Sequence, residues 1–177
     1  MKNIQYVKKM KTSTVTNKNQ MSYTRKEYMG GIPGSKIVRF TMGNTQRQFP
    51  YRIKLITRKS GQILHNALEA ARIAALRHLE GRLERKNFKL KIVPYPHQVV
   101  REHKRVNVAQ ADRFQEGMKK AYGKPAAVAA RIDRRDDVFI AEVEKDNVDT
   151  AKKALEKARN KLPLPMKVQV ERIDQDA

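Results

Sequence analysis

The chain has 177 residues, of which 40% are hydrophobic, and 39 lysines and arginines against 18 acids give a formal net charge of +21. This length and apolar share suit one domain with tails and argue against wholesale disorder. The sequence contains no cysteine, which excludes disulfides, thiolate metal sites and a thiol nucleophile, and it has no apolar run of about 18 residues, so we expect neither a membrane span nor a secretory signal.

The positive charge is concentrated towards the amino terminus. Residues 1–60 hold fourteen bases and one acid, residues 61–125 hold fourteen bases and six acids, and residues 126–177 hold eleven of each. A dense cationic surface repels itself unless a polyanion neutralises it, and binding to phosphates adds favourable counterion release. The distribution therefore predicts a nucleic-acid partner for the first two-thirds of the chain and a solvent-facing last third.

Residues 1–22 are polar and basic and predict an extended arm, followed by a single domain over residues 23–177. Residues 23–36 read YTRKEYMGGIPGSK, in which the glycines and the proline are typical of a turn. We interpret this segment as a backbone-exposing loop laid on phosphates and flanked by Arg25, Lys26 and Lys36. The alternative is a plain turn before a strand at residues 37–40. The segment lacks the Gly-Lys-Ser/Thr ending of a nucleotide-binding P-loop.

The middle of the chain predicts two strands with a helix between them. Apolar residues alternate with Arg52 and Lys54, which predicts a strand at residues 51–57 with one cationic face. Leucines and alanines at three- and four-residue steps predict a helix near residues 62–86, capped by Ser60. Alternation predicts another strand at residues 88–92. The helix arginines lie off the apolar stripe and either face solvent or contact RNA; they are Arg72, Arg77, Arg82 and Arg85.

The last third predicts three strands and one helix. Residues 126–132 and 138–143 are predicted to form a strand pair around the charged turn 133–137, and Asp146 is predicted to cap a second helix. A final strand alternates over residues 166–171. Two helices on one mainly antiparallel sheet make an α+β fold, with a basic N-terminal arm and a long projecting loop.

That projecting loop, at about residues 102–124, is the most informative segment. It opens with the cationic cluster Arg101, His103, Lys104 and Arg105 and then becomes small and polar, with a short helix predicted near residues 109–121. Asp112 resembles the start of a capping box, so it orders a helix rather than performing chemistry. So long an excursion between strands is uncommon in a compact domain unless it is functional or disordered. We interpret it as a finger that projects into RNA; the alternative is a mobile surface loop.

Several motifs stand in an order typical of one family: YTRKEY at 23–28, GIPGSKI at 31–37, LEAAR at 68–72, PHQVVRE at 96–102 and ADR at 111–113. From about Tyr23 to Glu171 the chain resembles the archaeal and eukaryotic large-subunit ribosomal protein ten-e family, the counterpart of bacterial large-subunit protein sixteen. The resemblance implies an α+β domain of the cytoplasmic large ribosomal subunit that binds rRNA and helps position aminoacyl-tRNA near the peptidyl-transferase region. The implied partners are large-subunit rRNA, aminoacyl-tRNA and neighbouring large-subunit proteins, with no membrane, cofactor or metal.

The resemblance and the charge map together predict two groups of contact residues. Those expected to bind rRNA are Arg25, Lys26, Tyr28, Gly31, Gly34, Ser35, Lys36, Arg39, His97, Arg101, Arg113, Lys119, Lys120 and Lys124. Those expected in the tRNA-proximal loop are Glu102, His103, Lys104, Arg105, Val106, Asn107, Val108, Ala109, Gln110, Ala111 and Asp112.

The sequence disfavours an enzyme, and no catalytic residue is predicted. The candidate acid–base groups are four histidines, His65, His78, His97 and His103. His65 and His78 would lie nearly 20 Å apart along the predicted helix, too far to cooperate. No nucleotide fingerprint, nucleophile elbow or metal-ligand spacing is present. The alternative functions are a general nucleic-acid-compacting architectural protein and, less compatible with the sequence, an RNA-cleaving or RNA-modifying enzyme.

Overall fold

A computed structural model describes residues 25–102 and 123–173, in which eight strands form two antiparallel sheets that two helices cover. The α+β class is confirmed, although the strands divide between two sheets rather than one. The strands are β1 (Thr41–Gly43), β2 (Tyr51–Thr57), β3 (Gly61–Leu64), β4 (Phe88–Ile92), β5 (Gln98–Glu102), β6 (Lys124–Ile132), β7 (Asp137–Val143) and β8 (Met166–Arg172). The helices are α1 (His65–Glu80) and α2 (Val148–Arg159).

The larger sheet has the order β1-β4-β7-β2-β8, and its two ends differ in the residues that they bring together. Because neighbouring strands are antiparallel, β1, β7 and β8 begin at the end where β2 and β4 finish. We call this the upper end, and it contains Thr41, Thr57, Ile92, Asp137 and Met166. The opposite, lower end contains Gly43, Tyr51, Phe88, Val143 and Arg172.

The alternating sequences form β2 and β4 as predicted. Ile53 and Leu55 are fully buried between the sheet and the helices, while Arg52 and Lys54 lie on the outer face. The smaller sheet, of order β3-β6-β5, completes the core through Ile63 and Ile132. No helix in the described part of the chain is both long enough and apolar enough to span a membrane.

The first helix is shorter than predicted, because residues 61–64 form a strand. β3 pairs with the end of β6, where Gly61 faces Ile132, and α1 begins only at His65 with no side-chain cap. Ser60 is therefore not a helix cap. Within α1, Leu68, Ala71, Ala75 and Leu79 are buried on one face, as their spacing predicts. Arg82 and Arg85 lie beyond the helix end at Glu80.

The prediction that the strands at residues 126–132 and 138–143 pair with each other is wrong. Both strands exist, but β6 lies between β3 and β5 in the smaller sheet and β7 lies between β4 and β2 in the larger one. The turn at residues 133–136 therefore carries the chain from one sheet to the other. The same turn residues could join two paired strands or carry the chain between two sheets. The strands from distant parts of the chain that pair with β6 and β7 determine which of these forms.

Two other local predictions need correction. Residues 37–40 are not a strand in the structure, where the first strand starts at Thr41. Asp146 lies in a 3₁₀ turn before α2, and that helix begins at Val148 with no side-chain cap. The buried face of α2 is as predicted, since Ala151, Leu155 and Ala158 are fully buried.

Candidate nucleic-acid interface

The glycine-rich segment, residues 25–40, crosses the surface as an irregular chain that is fixed at a few points. Residues 26–28 form one 3₁₀ turn, and Gly31 has a φ of 71°, a left-handed conformation that glycine adopts without strain. Ile37 is only 2% exposed and enters the core. Arg25, Lys26 and the neighbouring residue Tyr28, which is 74% exposed, remain outside. The segment is thus held down at one end while its polar groups face solvent.

His65 provides the second fixed point of this segment. The backbone N–H of Lys36 donates to His65 Nδ1 over 2.8 Å. Because Nδ1 accepts this hydrogen bond, it carries no proton and the imidazole is neutral. Burial, and then the charge of Lys36, lower the pKa of His65 below its ordinary value. The first residue of α1 therefore positions the Lys36 backbone, while the Lys36 side chain stays exposed.

The second half of the segment runs beside the residues that follow β4. The backbone N–H of Ile92 donates to the carbonyl oxygen of Phe40 over 2.8 Å, and the rings of Phe40 and Tyr95 lie 5.5 Å apart, centroid to centroid. Val38 and Tyr95 are 78% and 63% exposed. His97 is exposed, with Nδ1 3.1 Å from the carbonyl oxygen of Tyr95. The fold thus brings residues 93–97, which include the predicted residue His97, to the Phe40 end of the segment. We call residues 25–40 with 93–97 the first surface.

The cations of the first surface have no internal counterions. Among the described residues, no ion pair reaches the side chains of Arg25, Lys26, Lys36 or Arg39, which are all exposed. Exposed lysines and arginines without acid partners are what a phosphate backbone neutralises. Ser35 donates to the carbonyl oxygen of Ile37 over 3.1 Å, so its hydroxyl shapes the loop and is only half-buried.

The cationic face predicted for β2 exists, but the fold neutralises it. Arg52 contacts Glu142 at 2.8 Å, Lys89 contacts the other oxygen of the same carboxylate at 3.1 Å, and Lys54 contacts Glu171 at 2.6 Å. Burial alone would raise the pKa of Glu142, but the hydrogen bonds from Lys89 and Arg52 outweigh it, and the pKa is lowered. The cations of this face are therefore paired with acids of the same sheet. Sequence reasoning misses it because Glu142 is ninety residues from Arg52 and reaches it only through the sheet.

The segment predicted to form the projecting loop connects the end of β5, at Glu102, to the beginning of β6, at Lys124. Glu102 and Lys124 are opposite each other in that strand pair, and both are exposed. Arg101 is half-buried and stands beside an irregularity in the strand register between Val100 and Arg101. The predicted residues in between lie outside the described residues: His103, Lys104, Arg105, Val106, Asn107, Val108, Ala109, Gln110, Ala111, Asp112, Arg113, Lys119 and Lys120.

Two of the three histidines in the described residues, His65 and His78, make contacts within the fold, while His97 is exposed on the first surface. His65 accepts the Lys36 N–H, and Nδ1 of His78 lies 2.8 Å from the Lys157 ammonium of α2. Burial, followed by the charges of Lys157, Arg82 and Lys153, lowers the pKa of His78. Within residues 25–102 and 123–173, no three His, Asp or Glu side chains stand close enough to hold a metal ion.

Comparison with known proteins decides the family. A family model described as ribosomal protein L16p/L10e matches residues 17–169. The chain belongs to this family. Relatives called large ribosomal subunit protein uL16 include those of Sulfolobus acidocaldarius, 44% identical over 88% of this chain and 90% of the relative, and Staphylothermus marinus, 47% identical over 82% and 84%. A third, from Methanosphaerula palustris, is 45% identical over 90% of this chain and 92% of the relative. The resemblance to the ten-e family is confirmed, and with it the expectation of a structural ribosomal protein rather than an enzyme.

Proposed function

We propose that this L16p/L10e-family protein is a structural constituent of the large ribosomal subunit that binds large-subunit rRNA through its first surface. The projecting loop, residues 102–112 in particular, then helps position aminoacyl-tRNA near the peptidyl-transferase region. Neighbouring large-subunit proteins are the remaining partners. The relatives' names support the assignment to the large subunit, and the sequence resemblance supports the role in tRNA positioning.

One observation carries the rRNA-binding part of the proposal. The fold pairs the half-buried cations Arg52 and Lys54 with acids, whereas the exposed cations of the first surface have no acid partner among the described residues. Phosphate contacts from such side chains position a protein on RNA without reading its sequence. The exposed rings of Tyr28 and Tyr95 stand beside these cations, and unpaired RNA bases stack on aromatic side chains of this kind.

The proposal is tested by the salt dependence of binding to the full-length large-subunit rRNA from the same organism. For duplex RNA we take a log–log slope of roughly −0.9 per neutralised phosphate. Replacing Arg25, Lys36 and Arg39 by glutamine should make the slope shallower by about one for each lost phosphate contact. The matched control replaces three exposed lysines elsewhere, Lys145, Lys153 and Lys161, and should leave the slope unchanged.

Equal slopes for the two triple variants would contradict binding through the first surface. Density-gradient sedimentation separates the proposal from its rival, a general nucleic-acid-compacting protein. The proposed protein should sediment with large subunits even when excess duplex DNA is present, because the RNA fold contributes to its binding. A protein that moved to the DNA would be of the compacting kind.

A further inference from the structure

A second group of cations surrounds a groove on the outer face of the larger sheet, in a part of the molecule expected to face water. The groove has a volume of about 420 Å³, and its cationic side chains come from Arg58, Arg134, Arg135 and Lys167. Ile56 and Gln169 also line it. All four cations are exposed, and no ion pair reaches them within the described ranges 25–102 and 123–173.

The turn that holds Arg134 and Arg135 is fixed from both sides. Thr57 is 1% exposed, and its hydroxyl donates to the carbonyl oxygen of Asp133 over 2.7 Å. The backbone N–H of Arg135 donates to the carbonyl oxygen of Thr57 over 2.9 Å. The backbone N–H of Arg58 donates to the carbonyl oxygen of Pro165 over 2.9 Å. The backbone that carries these cations is therefore held in place by hydrogen bonds, which lowers the ordering cost of binding.

Arg135 occupies a backbone conformation that its residue type disfavours. Its φ is 74°, and it is the one non-glycine residue of the described parts with a positive φ. Glycine or asparagine would adopt this conformation more readily, so the local backbone does not account for an arginine there. An unfavourable conformation of this kind is a ground for the hypothesis that the residue has a function. In this turn the side chain lines the groove.

Carboxylates stand near the groove but do not line it. Asp136 accepts the backbone N–H of Asp133 over 2.6 Å, and Asp137 lies 3.9 Å from Lys54. Asp136 is therefore engaged within the turn, and Asp137 is engaged with Lys54, a cation outside the groove. The groove itself therefore keeps an excess of positive charge.

The groove and the first surface lie along the same end of the larger sheet. Arg39 precedes β1 and Tyr95 follows β4, while Arg58 follows β2 and Lys167 is the second residue of β8, so all four stand at the upper end. Four strand spacings separate β1 from β8, about 19 Å at ~4.8 Å each. A duplex of that length carries on the order of ten phosphate charges. The acid-paired cations Arg52 and Lys89 lie towards the lower end.

We infer that the groove of Arg58, Arg134, Arg135 and Lys167 is a second binding site for the RNA phosphate backbone, continuous with the first surface along the upper end of the sheet. The inference rests on the proposed function for the identity of the polyanion. It changes the expectation for the last third of the chain, which contributes three of the four cations and contacts RNA at this end.

The test compares two variants that each lose four positive charges. The groove variant carries Arg58→Gln, Arg134→Gln, Arg135→Asn and Lys167→Gln; asparagine is chosen because it tolerates the left-handed backbone at position 135. The control variant carries Lys145→Gln, Lys153→Gln, Arg159→Gln and Lys161→Gln, all at exposed positions. Affinity for the full-length large-subunit rRNA is measured over a series of salt concentrations, and thermal unfolding checks that each variant folds.

We expect the groove variant to show a log–log slope shallower by about three to four and an affinity at least about tenfold lower, with no change for the control. If the groove variant fails to fold, the double variant Arg134→Gln with Lys167→Gln replaces it, with a slope shallower by about two.

The remaining outcomes overturn the inference in different ways. Steep and equal slopes for the wild type and both variants would sink the second site and leave the proposed function standing. Absence of salt-dependent binding by the wild type would sink the proposed function itself. A groove variant that binds free rRNA normally but fails to enter large subunits would assign the groove to an acidic protein segment instead of RNA.

Discussion

His65 connects the first surface to the helix behind it through one hydrogen bond, from the Lys36 backbone N–H over 2.8 Å. Replacing His65 by alanine removes the acceptor and leaves a partly buried N–H without its partner, which should lower the free energy of unfolding by about 1–3 kcal/mol. Asparagine offers a side-chain oxygen to the same N–H and should recover about 1 kcal/mol of that loss. Urea unfolding of the three proteins at pH 7.5 measures both differences.

The same residue makes a prediction about pH. The folded protein lowers the pKa of His65 below 6.5, so the unfolded chain binds the proton more readily. The stability that His65 contributes is therefore fully present above its ordinary pKa and declines as the pH falls below it. The stability advantage of the wild type over His65→Asn should shrink between pH 7.5 and pH 5.5, while the lowered pKa of His78 affects both proteins alike. A constant difference would contradict a neutral, accepting imidazole.

Glu142 joins three strands, because its carboxylate on β7 contacts Arg52 on β2 and Lys89 on β4. Glu142→Gln would leave two neighbouring cations without their counterion, and we expect a loss of about 1–2 kcal/mol, moderated because Arg52 is partly solvated. The control is Asp149→Asn, which breaks an exposed pair with Lys152 and should cost less than about 0.5 kcal/mol. Both losses are read from urea unfolding at neutral pH.

The lowered pKa of Glu142 also predicts how the stability difference between the wild type and Glu142→Gln changes at acidic pH. Its contribution is present above the ordinary pKa of a glutamate and is lost as the pH falls through the lowered value. The gap between the wild type and Glu142→Gln should therefore close on acidification. A gap that stayed open at low pH would mean that the glutamine disturbs packing rather than charge.

Elements defined by strong periodicity can be predicted from the sequence, and elements defined by distant pairing cannot. β2, β4 and the buried faces of α1 and α2 follow from alternation and from three- to four-residue steps. Residues 61–64, by contrast, suit a helix or a strand equally, and their pairing with residues 129–132 makes them β3. The same limit explains why the sequence predicts β6 and β7 as a pair.

The residues of the candidate site also divide into those that can be predicted from local sequence and those that depend on distant strand pairing. The predicted neighbours Lys36 and Arg39 are exposed as expected, because local charge excess and turn residues are visible in the sequence. That Arg58 and Lys167 face one groove is not predictable, since Thr57 and Met166 become opposite only when β8 joins the edge of the sheet. Whether the predicted residues contact RNA stays a prediction.

Across the whole molecule, folding redistributes the charge that the linear sequence suggests. The acids of the last third do not all face water, since Glu142 and Glu171 neutralise Arg52, Lys89 and Lys54 of the basic region. The exposed cations of the first surface and of the groove, which have no acid partner among the described residues, come from both halves of the chain, and Arg39, Arg58 and Lys167 lie at the upper end of the larger sheet. The surface that we propose for RNA contact is therefore better described by a sheet end than by a chain segment.

The projecting loop gives a test of whether rRNA binding and tRNA positioning reside in different parts of the molecule. Its first part contains Lys104 and Arg105, and its second contains Lys119 and Lys120, so two glutamine double variants remove equal charge from one loop. If the first part faces aminoacyl-tRNA, neutralising it should lower aminoacyl-tRNA binding by large subunits reconstituted with the variant, while the salt slope for free rRNA stays unchanged. Neutralising the second part should make the rRNA slope shallower by about one to two. Identical effects of the two variants in both assays would mean that the loop contacts a single RNA surface, and the division between rRNA and tRNA contacts would then be wrong.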